Sequence, residues 1–191
     1  MVNEQNYASS DFDRRQRFVA SYVYELPSCY KGDSALAKSV VNHWSVSGIV
    51  TLQSGEPFSI FAQDSAFEAT RANLAPGRTL ASAIKSGSVN NRLNDYFDPT
   101  AFVQPSATGD FGQLGRNILP GPKQINTDFA VMKSFPIREA QRIEFRAEFF
   151  NLFNNVNWAP PINIQSSANF GQIPATTTGP RVIQFALKFS F

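Results

Sequence analysis

The chain ends in eleven residues, Arg181 to Phe191, that alternate almost without fault between large apolar and smaller or polar side chains. Ile183, Phe185, Leu187, Phe189 and Phe191 share one side, and Val182, Gln184, Ala186, Lys188 and Ser190 share the other. A strand turns successive side chains to opposite faces, so a period of two with this contrast predicts a strand. Its apolar side is built of larger groups than an ordinary half-buried strand requires. Gln141 to Phe150 repeats the pattern, with Ile143, Phe145, Ala147 and Phe149 opposite Arg142, Glu144, Arg146 and Glu148. Glu, Arg and Ala also favour a helix. At about 100° per residue, however, the four charges fall near ~200°, ~40°, ~240° and ~80°, two on each side, and no apolar stripe survives. Only a strand sorts every charge onto one face.

Three more segments carry the same rhythm. Arg17–Leu26 sets Phe18, Ala20, Tyr22, Tyr24 and Leu26 against Val19, Ser21, Val23 and Glu25. Trp44–Gln53 sets Trp44, Val46, Gly48, Val50 and Leu52 against Ser45, Ser47, Ile49, Thr51 and Gln53. Asn126–Phe135 sets Thr127, Phe129, Val131, Lys133 and Phe135 against Asn126, Asp128, Ala130, Met132 and Ser134, the least regular of the five. Residues 34–41 (SALAKSVV) are expected to form a short helix between the first two strands. The connections are unequal. Residues 136–140 make a short turn, whereas 62–125 and 154–180 are long stretches rich in Asn, Ser, Gly and Pro, expected to lack secondary structure. Residues 54–57 (SGEP) are either a hairpin turn, which adds a sixth strand, or a kink in one long strand from Trp44 to Phe61; the kinked strand is preferred.

Strands of about 9–11 residues, apolar on one face and polar on the other, suit a transmembrane barrel, whose outside meets lipid and whose lumen is wet. In hydrocarbon every backbone group must be paired, so only helices and closed barrels span. A mean hydropathy of −0.22 leaves no run near the ~20 apolar residues of a spanning helix. The 18 Phe, 5 Tyr and 2 Trp residues are instead diluted by polar ones. Tyr22, Tyr24 and Trp44, with Phe189 and Phe191, are expected near strand ends, where an interfacial aromatic girdle forms. Arg142, Glu144, Arg146 and Glu148 would then form a lumen-facing charge ladder. The competing architecture is a secreted or surface β-sandwich that binds carbohydrate or protein through its long loops. The fold class read here is all-β: an antiparallel transmembrane β-barrel segment of about five or six strands of a larger barrel, with long extracellular loops.

The final strand, Ile183, Phe185, Leu187, Phe189 and Phe191, resembles the terminal signal that the bacterial barrel-assembly machinery reads. Residues 11–27 (DFDRRQRFVASYVYELP), 44–58 (WSVSGIVTLQSGEPF), 112–117 (GQLGRN) and 142–154 (RIEFRAEFFNLFN) resemble, in order and spacing, the C-terminal barrel of TonB-dependent outer-membrane receptors. The subgroup they resemble is the Oar-like receptors, which carry an N-terminal carboxypeptidase-regulatory-like domain. The resemblance covers most of residues 11–191. It implies import of a ligand across the outer membrane of a Gram-negative-type bacterium, driven through the TonB system by an N-terminal part not seen here. It also implies that the terminal strand runs from outside to periplasm, which puts 62–125 and 154–180 outside and 136–140 in the periplasm. The family's signal peptide, plug domain and 22-strand barrel are not matched: residues 1–12 have neither a basic start nor an apolar run. Five strands cannot close so wide a barrel. Residues 1–191 are therefore read as the C-terminal part of a receptor barrel.

No reaction chemistry is legible. His43 is the only histidine and Cys29 the only cysteine, so neither a metal cluster nor a Ser-His-Asp arrangement is expected. His43 is read as interfacial or exposed and Cys29 as an inert thiol. Glu144 and Glu148 share a face with Arg146 between them, which predicts charge compensation, not acid–base catalysis. With 17 basic against 15 acidic residues there is no electrostatic case for nucleic acid; Arg14, Arg15 and Arg17 are read as a polar rim. No enzyme and no cofactor are expected. The partners expected are outer-membrane lipid, the barrel-assembly machinery and the TonB system; the transported ligand is not legible.

Overall fold

The computed structural model describes residues 6–63, 70–106, 111–138 and 141–191. In chain order these form β1 (Arg17–Glu25), α1 (Ala35–Val41), β2 (Trp44–Gln53), β3 (Pro57–Phe58), β4 (Asn73–Leu74), α2 (Leu80–Ala83), β5 (Phe102–Val103), β6 (Leu119–Pro120), β7 (Gln124–Arg138), β8 (Gln141–Phe150) and β9 (Val182–Ser190). Single 3-10 turns lie at Val89–Asn91 and Pro99–Ala101. The chain divides into two compact units. One holds 17–52, 125–156 and 179–191; the other holds 1–16, 53–124 and 157–178.

The first unit is a five-stranded sheet in the order β1-β2-β7-β8-β9. Leu26 N–H donates to Trp44 O at one end of the β1–β2 pair. At the other end Ser54 N–H donates to Gln16 O, so the two strands run antiparallel. β7 pairs with β8 from Phe129↔Phe149 to Arg138↔Gln141, with an irregularity between Pro136 and Arg138. β8 pairs with β9 from Arg142↔Ser190 to Phe150↔Val182. These registers carry the alternation across the sheet. Phe145 stands opposite Lys133 and Leu187, and Phe149 opposite Phe129 and Ile183, so one face collects the apolar sets of successive strands. The expected strand positions hold to within a few residues, and residues 35–41 form the expected helix, capped by the Ser34 hydroxyl, which accepts from Ala37 N–H at 3.3 Å.

Two expectations are corrected. The strand from Trp44 does not run on to Phe61, nor does it turn back to add a sixth strand to the sheet. It ends at Gln53, and Pro57–Phe58 pairs instead with Leu119–Pro120 in a separate two-stranded ladder. Backbone contact explains the break: a Cβ on Gly55 would collide with Gly121 O, and Gly121 N–H donates to Glu56 O at 2.9 Å. The turn at 136–140 is also narrower than its sequence suggests. Pro136 and Arg138 still belong to β7, and residues 139–140 lie outside the described part.

The long connections are the larger correction. Far from lacking structure, they build most of the second unit and its hydrophobic core: Phe97, Phe102, Leu114 and Leu119 are buried with Phe58 and Ile60, together with Ile173 from the second connection. Phe97 meets Phe102 edge-on at 5.5 Å and Phe170 at 5.0 Å between ring centres. Each buried side chain of this size contributes about 1.5–3 kcal/mol, and edge-to-face rings add to that. Loops alone rarely supply so much, which is why these are a folded unit.

Candidate functional site

The sheet's two faces differ as sharply as its strands do. On the apolar face Phe185, Leu187 and Phe191 are 67%, 72% and 92% exposed. Ile183 and Phe189 are exposed on the same strand, and Phe18 and Tyr24 on β1 at the other edge of the sheet. Such side chains are not covered by the chain itself. Aromatic groups along this face meet across strands: Phe145 stacks diagonally on Phe185 at 6.1 Å, and Phe129 lies 6.3 Å from Phe149. Ile183, Phe185, Leu187 and Phe189 all lie on β9, and Phe191 follows it with its ring 6.0 Å from Phe189.

The three residues expected near strand ends are not all there. Tyr24 and Trp44 lie where β1 ends and β2 begins. Tyr22 instead sits in the middle of β1, its ring over Gly48. A Cβ on Gly48 would come within 2.6 Å of the Tyr22 hydroxyl and 2.9 Å of Asp128 O. A glycine inside a strand leaves a gap in the sheet's surface, and Tyr22 fills it.

The opposite face carries the four expected charges as two adjacent pairs. Arg142 Nε lies 3.0 Å from Glu144 Oε1, and an Arg146 guanidinium nitrogen lies 3.3 Å from Glu148 Oε1. Both pairs are partly exposed, with the arginines the more open partners, and surface pairs of this kind contribute about 0–1 kcal/mol. Two hollows lie on this sheet. One of about 430 Å³ is lined by Ser21, Ser47, Asp128 and Glu148 among others. The other, of about 370 Å³, is lined by His43, Ser45, Ser134, Glu144, Arg146 and Lys188 among others. His43 is exposed, as expected, and holds φ at +62° where β2 begins. Among the described residues no group of three or more His, Cys, Asp or Glu side chains gathers as a metal site would require.

Lys133 was not singled out by its sequence position, yet it is the most unusual group of the sheet. It belongs to the apolar alternation of β7, and only 2% of its surface is exposed. Its ammonium donates to Asn42 O and lies 5.4 Å from the Trp44 ring centre and 5.0 Å from that of Phe135. A cation on an apolar surface is costly unless it is paired; here one carbonyl and two aromatic faces do so. The only signal in the sequence was that this strand was the least regular.

In the second unit the 112–117 segment has a clear physical basis. Gly112 has φ +75°, and a Cβ there would collide with Arg71 O. Leu114 is buried in the core. Arg116 pairs with Asp11. Asn117, at φ +54°, donates from its amide to Ser9 O and Asp11 Oδ1, both at 2.8 Å. Its side-chain amide, followed by the Arg116 guanidinium, holds the Asp11 carboxyl below the usual carboxylate range. Arg14, expected on a polar rim, pairs with Glu56 at 2.5 Å and donates to Ser54 O at 3.0 Å. Burial pushes the Tyr96 phenol up, while its hydroxyl donates to Pro120 O at 3.0 Å.

An antiparallel meander, apolar and uncovered on one face and charged on the other, defines the class: a segment of a transmembrane β-barrel. A family model described as "Outer membrane beta barrel domain" matches residues 2–184, and the chain belongs to that family. The family places it in the outer membrane. No curated protein and no solved structure matches the chain. The sheet is not closed: β1 and β9 are its outer strands.

Proposed function

We propose that the chain is part of a TonB-dependent receptor of the Oar-like subgroup, which imports a ligand across the outer membrane and catalyses no reaction itself. The observation that carries this reading is the folded loop unit joined to a barrel sheet. A plain pore needs only short turns and pliable loops. A receptor must hold residues in fixed positions to select a ligand, and the packed core of residues 53–124 and 157–178 supports that reading. The 112–117 segment, by which the chain resembles such receptors, lies within this unit and is fastened to Asp11 and Ser9.

On this reading the apolar face of the sheet meets lipid, and the Arg142–Glu148 ladder faces the lumen. Ile183, Phe185, Leu187, Phe189 and Phe191 serve as the signal read by the assembly machinery, and Tyr24 and Trp44 lie at the membrane interface. Energy comes from the TonB system through an N-terminal part. The test is to read the source DNA upstream of the Met1 codon. An open frame running back through a plug domain to a signal peptide is the expected result. A stop codon and promoter immediately upstream would overturn the proposal and leave an outer-membrane protein of another kind.

A further inference from the structure

We infer that α1, in the β1–β2 connection, lies flat in the headgroup layer of the phospholipid leaflet and anchors one end of the sheet there. The inference rests on the apolar sheet face being the lipid face. None of the seven residues of α1 is buried. A helix that short has no stability of its own in water and depends on packing of one face. Yet Leu36 and Val40, one turn apart on the same side, are 81% and 60% exposed. Lys38 projects from the opposite side at about 100° per residue. Apolar groups on one side and a cation on the other are what an interfacial helix presents.

Three observations identify the occupant as lipid. First, the helix continues the membrane surface. Trp44, which shares the apolar face of β2, donates from its indole N–H to Val40 O at 3.0 Å. The Asn42 amide also fixes the helix end, accepting from Tyr30 N–H at 3.1 Å and donating to Tyr30 O at 3.0 Å. Second, Lys31 and Lys38 are exposed on this connection, with Asp33 between them. Lipid phosphates can pair with the two ammonium groups. Third, this end of the sheet also carries the Arg138↔Gln141 pairing, with only two residues between β7 and β8, and the end of β9. Short connections mark the periplasmic side of such barrels, and the periplasmic leaflet is phospholipid.

The test uses the whole barrel protein that carries this chain, in isolated outer membranes, with Cys29→Ser to remove the chain's native thiol. Single cysteines at Leu36, Lys38, Val40 or Leu187 each carry an environment-sensitive fluorophore. Phosphatidylcholine spin-labelled high on the acyl chain quenches from within the leaflet, and iodide quenches from water. The expected result is a blue-shifted emission, quenched by lipid and shielded from iodide, at 36, 40 and 187, and the reverse at 38. A label at 187 quenched by lipid while 36 and 40 respond only to iodide overturns this inference alone. A label at 187 that responds only to iodide overturns the lipid-face assignment with it.

Discussion

Lys133 shows how much one residue can hide from its sequence. Its partner Asn42 is 91 positions away, and the contact is to a backbone carbonyl, so no local pattern reports it. Replacing it with alanine leaves Asn42 O without its donor and is expected to cost about 1–3 kcal/mol. The urea midpoint of the membrane-assembled protein should fall accordingly; an unmoved midpoint would show that the carbonyl finds another donor. Gly112→Ala is expected to be more severe, because the conformation at φ +75° and the collision with Arg71 O act together. Limited proteolysis should then cut the loop unit rapidly while the sheet stays protected, and a wild-type digestion pattern would argue against the crowding. Removing Phe191 tests the assembly signal. Loss of the heat-modifiable, protease-protected form is expected, and normal assembly refutes that role.

At the scale of elements, legibility followed periodicity. β8 and β9 were readable because every second residue reports its face, and the register then agrees across both pairings. The two-residue ladders of Phe58 with Leu119 and Leu74 with Phe102 carry no period at all. Their residues come together only through a core drawn from separated stretches, so the loop unit read as mere connection. Tyr22 illustrates a subtler limit: its place within residues 17–26 was readable, but its contact with Gly48 was not, because a cross-strand neighbour is known only from register. The 3-10 turn at Pro99–Ala101 offers a pH test. Asp98 Oδ1 accepts from the Thr100 hydroxyl at 2.7 Å and from Thr100 N–H at 3.0 Å. The hydroxyl bond is the largest of the influences that hold its carboxyl below the usual range. A carboxyl depressed on folding adds stability above its unfolded pKa of about 3.9, and that stability is lost as pH falls through the folded value. Amide-exchange protection near this turn is therefore expected to drop below about pH 4. Asp98→Asn should flatten that dependence; an unchanged acid limb would assign it to other groups.

Across the whole molecule, two kinds of burial divide the labour. The loop unit buries Phe58, Phe97 and Phe102 within itself, whereas the sheet leaves Phe18, Phe185, Leu187 and Phe189 uncovered. On the proposed receptor function, deleting 62–125 and 154–180 is expected to abolish ligand uptake without preventing barrel assembly; uptake that survives would place selectivity elsewhere. The openness of the sheet has a consequence of its own. β1 and β9 each have a strand neighbour on one side only, and a backbone row left unmatched in hydrocarbon costs several kcal/mol per group. A ribbon of five strands thus has no half-way residence in the bilayer. Crossing the membrane and finding strands for both flanks are therefore coupled: the sheet can settle in lipid only as its two edges are sewn to neighbours.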